Sequence, residues 1–229
     1  MVFTVQISKL FNEHSANNIR TAIIQHWANC SGVTLNQFKS NSATQKFLDV
    51  ADSKEVSLLL GHFGHLLPKP TLKDVEKFFE LSLDKDQRKI FGMVYTPEYI
   101  IDYLTKFSLD LAWKDHRKSP KICDPSCGSG GFLLRIAEIL ENDYGISGEQ
   151  AFSESIFGID IDKQALEQAK CLIELYLASK NQTILNLDNS LFEFDTLTND
   201  VEKILSLTNV NNGFDVVVTN PPYVKFQNL

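Results

Sequence analysis

Between about residue 121 and residue 219, short apolar runs alternate with helical stretches, and this alternation restricts the fold more than any other feature of the chain. Residues 121–124 form a short apolar run entering a glycine-rich turn, and residues 132–140 carry a helical pattern after it. A second strand is expected over 155–160 and a second helix over 163–177, with further strands over 183–187 and 214–219. Strands separated by helices long enough to cross a sheet imply a parallel sheet covered on both faces. The expected class for this part of the chain is therefore α/β.

The preceding residues have a different texture. Ile19, Ile23 and Trp27 recur at helical spacing, as do Val56, Leu59, Leu60 and Phe63. Thr71-Leu72-Lys73-Asp74 has capping-box character and leads into the stripe Val75, Phe78, Phe79 and Leu81. The reading is a small helical domain over 1–90 followed by an α/β domain over 91–229. At the junction, Thr96-Pro97-Glu98 reads as a helix start, with a hydroxyl N-cap, proline at the first helical position and an acid in the first turn. Ile100, Ile101, Leu104, Phe107 and Leu111 are expected to form the buried face of that helix.

Of the 229 residues 43% are hydrophobic, ample for packed cores. No apolar stretch is long enough to span a bilayer and the N-terminus lacks a leader-like apolar core, so a cytoplasmic protein without membrane contact is expected. The four cysteines include one Cys-x-x-x-Cys pair, Cys123 and Cys127, without the second ligand pair of a zinc site, and they read as buried free thiols. His62 and His65 have no evident carboxylate or cysteine partner and read as core or surface histidines, so no metal is expected. The net charge of −7 argues against bulk electrostatic wrapping of nucleic acid, so any such contact must be local.

Three segments carry candidate chemistry. In Asp124-Pro125-Ser126-Cys127-Gly128-Ser129-Gly130-Gly131 the glycines let backbone approach a ligand, and the following helix offers free N–H groups and the positive end of its dipole. The loop does not spell the dinucleotide fingerprint, and no Lys-Ser or Lys-Thr follows its last glycine, which excludes a P-loop. In Gly158-Ile159-Asp160-Ile161-Asp162, Asp160 stands at a strand tip where a carboxylate can accept from both hydroxyls of a ribose, whereas Asp162 stands where a helix N-cap is expected. In Asn220-Pro221-Pro222-Tyr223, after the apolar run over 214–218, an amide, a proline-fixed carbonyl and an aromatic ring can grip a flat heterocycle bearing an exocyclic amine.

Taken in order, Val94-Tyr95-Thr96-Pro97, the glycine loop, Gly158 to Asp162 and Asn220 to Tyr223 resemble the motifs of amino-group DNA methyltransferases in the gamma arrangement. Type I modification subunits and fused type IIG restriction-modification enzymes, which methylate adenine N6, share that arrangement. The resemblance covers about residues 91–229 and implies a Rossmann-like methyltransferase sheet that uses S-adenosylmethionine. It implies that Tyr95, Thr96 and Pro97 line the cofactor pocket, that Asp124 takes the cofactor's amino group, and that the backbone of Ser126, Cys127 and Gly128 lies against it. Asp160 would hold the ribose, and Asp188 resembles the acidic position near the adenine ring or the methyl group, with a loop-capping role as the other reading. Asn220 and Pro221 would accept the two N6 hydrogens while Tyr223 stacks on a flipped base, with Pro222 completing the tetrapeptide.

Such sheets have seven strands, of which four can be counted, so a C-terminally truncated sheet is expected, with residues 214–219 at its edge. The implied partners are double-stranded DNA and a specificity subunit or a further recognition domain. Two other readings remain open from the sequence. One is methylation of a protein glutamine side chain, whose amide also suits Asn-Pro-Pro-Tyr; the other is a non-catalytic module that assembles with a specificity subunit.

Overall fold

The computed structural model describes residues 9–82, 96–115 and 120–221. The chain divides into two compact units, Met1–Arg88 and Lys89–Leu229.

The first unit is helical: α1 (Ala16–Ser31), α2 (Ala43–Asp49), α3 (Ser53–Leu66) and α4 (Leu72–Leu81). Local chemistry sets their starts. Ser15, Ser42, Asp52 and Thr71 each accept a backbone N–H from the first turn of the helix they precede, and Thr71 and Asp74 form the reciprocal capping box that the sequence predicts. The core holds Ile19, Ile23 and Trp27 of α1, Val56, Leu59 and Phe63 of α3, and Val75, Phe78 and Phe79 of α4, close to the periodic positions. Its buried polar groups are paired. Asn18 accepts from the Asp52 N–H at 2.9 Å and donates to Glu55, and the His26 ring N–H meets the Leu67 carbonyl at 2.7 Å. His62 and His65 are exposed.

The second unit contains β1 (Ile122–Asp124), β2 (Ile156–Asp160), β3 (Leu191–Glu193) and β4 (Val216–Val217) in the order β3-β2-β1-β4, every pair parallel. Helix α5 (Glu98–Asp115) precedes the sheet, α6 (Gly131–Tyr144) follows β1, α7 (Lys163–Ser179) follows β2, and α8 (Val201–Thr208) lies between β3 and β4. On one face Gly158 lies against Leu133 of α6, and α6 packs against α7. On the other, Cys123, Phe157, Ile159 and Val210 pack with Phe192, Phe194, Ile204, Leu205 and Phe214. This two-faced cover is the Rossmann-like α/β arrangement expected from the alternation.

Three expectations need correction. The third strand is β3, not residues 183–187. Pairing decides it: the Gly158 N–H donates to the Ser190 carbonyl at 2.8 Å, and Gly158, Ile159 and Asp160 face Leu191, Phe192 and Glu193. The run ending at Leu187 instead enters a 3-10 turn, Leu187–Asn189, capped by the Asn186 side chain. The α5 face is also different: Thr105, Leu109 and Ala112 are buried, whereas Leu104, Phe107 and Leu111 are exposed together with Tyr99 and Tyr103, Phe107 at 53%. The face chosen is the one that fits α6, to which Asp102 reaches Arg135 at 2.6 Å and Asp110 accepts from the Tyr144 hydroxyl at 2.7 Å. Finally, Cys123, Cys127 and Cys171 are buried thiols but Cys30 is exposed. The fourth strand does stand at a sheet edge among the described residues, with Val217 57% exposed.

Candidate active site

The strand order reverses direction at β1: the chain runs outward through β2 and β3 on one side, then returns to place β4 on the other. In open parallel sheets such a switch point opens a crevice at the carboxyl ends of the strands. The glycine loop leaves β1 there, and Thr219 and Asn220 leave β4 there.

The loop is shaped by two left-handed glycines, Gly128 at φ +53° and Gly130 at φ +92°. Open space lies where a Gly128 side chain would go, whereas a Cβ on Gly130 would stand 3.0 Å from that of Ala169 on α7. The first glycine thus leaves room beside the backbone, and the second lets α6 start tightly against α7. The Cys127 N–H donates to the Ile159 carbonyl at 2.9 Å, which fastens the loop to β2, and burial pushes the Cys127 thiol far above its ordinary range. The Cys127 carbonyl accepts the Gly130 N–H at 2.9 Å, so both backbone polar groups of Cys127 serve the loop itself, and its thiol stays inert in the core.

Asp124 is only 1% exposed, and burial pushes its carboxyl up to about 7, with the charge of Asp160 adding to the rise. Bonds from the Ser126 N–H, at 3.1 Å, and from the Thr219 hydroxyl oppose that rise. Thr219 and Ser126 hydroxyls are 2.6 Å apart. With Asp124 ionised, the Thr219 proton goes to the carboxylate and the Ser126 hydroxyl donates to Thr219. The end of β4 is thereby tied to the loop after β1. The sequence marks Thr219 only as a hydroxyl residue closing an apolar run directly before Asn220.

Asp160 holds the far side of the loop. One of its oxygens accepts the Gly128 N–H at 2.7 Å and the other the Asp162 N–H at 2.9 Å, and the Ile161 N–H also bonds the carboxylate. Burial raises its pKa, and the backbone bonds from Asp162, Gly128 and Ile161 pull it back. Asp162 caps α7 as the sequence predicts, accepting from the Gln164 and Ala165 N–H groups.

At the other end of the crevice the Asn220 side-chain amide donates to the Thr96 hydroxyl at 2.7 Å. Pro97, not Thr96, stands at the cap of α5, because its carbonyl takes the N–H groups of Ile100 and Ile101. The structure thus joins Thr96, Asp124, Ser126, Gly128, Asp160 and Asn220 through one run of bonds along the carboxyl edge. Pro97 and Pro221, both exposed, flank it. Tyr95, Pro222 and Tyr223 lie outside the described residues.

Asp188 is elsewhere. It precedes β3 on the 3-10 turn that packs against residues 151–155 at the amino end of β2, and its carboxylate pairs with Lys170 at 2.6 Å. Its own N–H donates to the Asn186 side chain at 3.1 Å. The misplacement follows from the third strand: had residues 183–187 paired with β2, Asp188 would have followed a strand tip. Among the described residues no group of three or more His, Cys, Asp or Glu is placed to hold a metal, and no helix is long and apolar enough to cross a membrane.

The switch point thus carries a glycine loop and two carboxyl groups, followed by an amide-bearing turn. The sequence profile of the N-6 DNA methylase family matches residues 72–228, and the chain belongs to that family. The match begins at the first residue of α4, so the family's common sequence reaches into the helical unit. The chain is 30% identical over 165 residues to the methylase subunit of the type I restriction enzyme MjaIX of Methanocaldococcus jannaschii, covering 65% of this chain and 26% of that protein. It is 27% identical over 152 residues to the type II methyltransferase M.VspI of a Vibrio species, covering 64% and 29%. It is also 26% identical over 149 residues to the release factor glutamine methyltransferase of Flavobacterium psychrophilum, covering 65% and 41%. The chain therefore spans between about a quarter and two-fifths of the lengths of these relatives.

Proposed function

We propose that this chain forms the cofactor-binding and catalytic part of a cytoplasmic DNA methyltransferase that modifies adenine N6 in a restriction-modification system. The observation that carries the reading is the bonded run from Asp160 through the glycine loop and Thr219 to Asn220, in a chain whose sequence matches the N-6 DNA methylase family. DNA and a specificity subunit or recognition domain are the proposed partners, in keeping with the type I methylase subunits among its relatives.

The residues suit S-adenosylmethionine. Gly128 leaves open space beside backbone, α6 presents free N–H groups, and Asp160 stands at the tip of β2 with acceptor capacity left for a ribose hydroxyl. Asp124 supplies a negative group whose raised pKa a cationic amine would bring down. The bound cofactor supplies an electrophilic methyl on a cationic sulfur. Asn220 Oδ1 and the Pro221 carbonyl accept the two hydrogens of the target amine. That favours the pyramidal nitrogen whose lone pair is withdrawn from the ring, and it stabilises the positive charge that develops during attack. Thr219 holds the turn at a fixed height above the loop, so amine and methyl group meet in one geometry.

The glutamine methyltransferase relative supports a second reading, because a carboxamide nitrogen has the same two hydrogens and the same delocalised lone pair. Methyl transfer from labelled cofactor to adenine-containing duplex or to a Gly-Gly-Gln peptide separates the two. Label in the duplex, lost in Asn220→Ala, supports the first; label in the peptide alone overturns it. Calorimetry that finds no affinity for S-adenosylmethionine, with Asp160→Ala unchanged, would favour the non-catalytic module.

A further inference from the structure

Thr96 was expected to line the cofactor pocket, but the bond it makes in this structure is to the catalytic amide. A carboxamide is asymmetric. When its NH2 group is engaged its oxygen points about 120° away, and a half-turn of the terminal torsion would present two donors to an incoming amine instead of an acceptor. That torsion is broad and nearly two-fold for an isolated Asn, so a partner on Nδ2 is required to choose the productive face.

Thr96 is suited to be that partner. Its side chain is branched at Cβ, which restricts χ1, and it directly precedes Pro97, which restricts its backbone to extended conformations. Its hydroxyl oxygen is thus held rigidly at the start of α5, where Pro97 has taken over the capping. The backbone next to Asn220 has its own anchor, through Thr219 to Ser126 and Asp124. One anchor fixes the main chain of the turn and the other the side chain.

We propose that Thr96 is a positioning residue for the transfer step: by accepting from Nδ2 it aims Oδ1 of Asn220 at the hydrogens of the substrate amine. The proposal rests on the methyltransferase reading above. It predicts a kcat effect without a matching change in cofactor affinity, whereas a pocket-lining residue would raise the Kd for S-adenosylmethionine.

The test compares wild type, Thr96→Val and Thr96→Ser. In Thr96→Val, kcat for methyl transfer to duplex is expected to fall about 10²-fold with the cofactor Kd within about threefold, and Thr96→Ser to recover most of kcat. In parallel, the side-chain 15N–1H2 signal of Asn220, identified by its loss in Asn220→Asp, should shift and exchange faster in Thr96→Val but not in Thr96→Ser. Unchanged kcat in Thr96→Val, a loss carried by cofactor Kd, or an Asn220 amide signal indifferent to Thr96 would each overturn the proposal. A wild type that transfers no methyl group to DNA defeats the functional reading instead, and the amide signal still decides whether Thr96 holds Asn220.

Discussion

The helical unit closes around bulk, with Trp27, Phe63, Phe78 and Phe79 filling the space between α1, α3 and α4. The α/β unit instead brings surfaces together where side chains are missing. A Cβ on Gly158 would stand 2.6 Å from Leu133 and from Leu191, and one on Gly148 would run into Tyr176. Their polar groups differ in the same sense. Asn18 and His26 in the first unit have partners that complete a core, whereas Asp124 and Asp160 in the second are like charges kept close beside a crevice. One region is arranged for closure, and the other holds carboxyl groups whose burial opposes their ionised form.

The largest effect should come from the crevice and leave the fold alone. Asn220→Ala is expected to lower kcat by about 10²–10³-fold at unchanged thermal stability, measured by single-turnover methyl transfer beside a melting curve. An equal fall in Tm would mean that Asn220 is a packing residue like those of the helical unit. Next, Phe63→Ala should destabilise by about 3–5 kcal/mol through loss of bulk, read by urea unfolding of the helical signal. Its counterpart, Gly158→Ala, should destabilise by about 1–3 kcal/mol through added bulk, and a neutral result would break the contrast.

Asp124 tests the cost of the site. Its folded pKa, about 7, lies above the ordinary carboxyl value, so the folded state binds this proton more tightly than the unfolded chain does. The stabilising contribution is complete below about pH 4 and is lost as the pH rises toward 7. Asp124→Asn should therefore be more stable than wild type at pH 8, by up to about 4 kcal/mol, and the difference should shrink at pH 5. Melting curves that run parallel at both pH values would remove the argument. The smallest effect is expected at the caps, where Thr71→Ala and Asp162→Ala should each destabilise by about 1 kcal/mol, one in each unit.

Much of this was legible in the sequence because it is written locally. The capping box at Thr71, the Asp162 cap, the periodic stripes of α1, α3 and α4 and the glycine loop are each decided within a turn or two of chain. The candidate site was legible where motif and strand end coincide, at Asp124, Gly128, Asp160 and Asn220. It failed where a strand was judged by composition: Ile184, Leu185 and Leu187 look like a strand, yet only residues 191–193 find a partner. It failed again on α5, where the more apolar stripe was expected inside and the stripe fitting α6 was buried.

The sequence by itself determined the class of fold, the starts of most helices and the segments that form the candidate site, because turn chemistry and hydrophobic period act over a few residues. Tertiary structure alone decided which run became β3, which side of α5 was buried, that Asp188 stands at the opposite edge of the sheet, that Thr96 reaches Asn220, and that Thr219 reaches the loop after β1. Each of those outcomes depends on a partner dozens of residues away, 124 for Thr96 and Asn220, and no local pattern encodes which distant group will stand within hydrogen-bond distance.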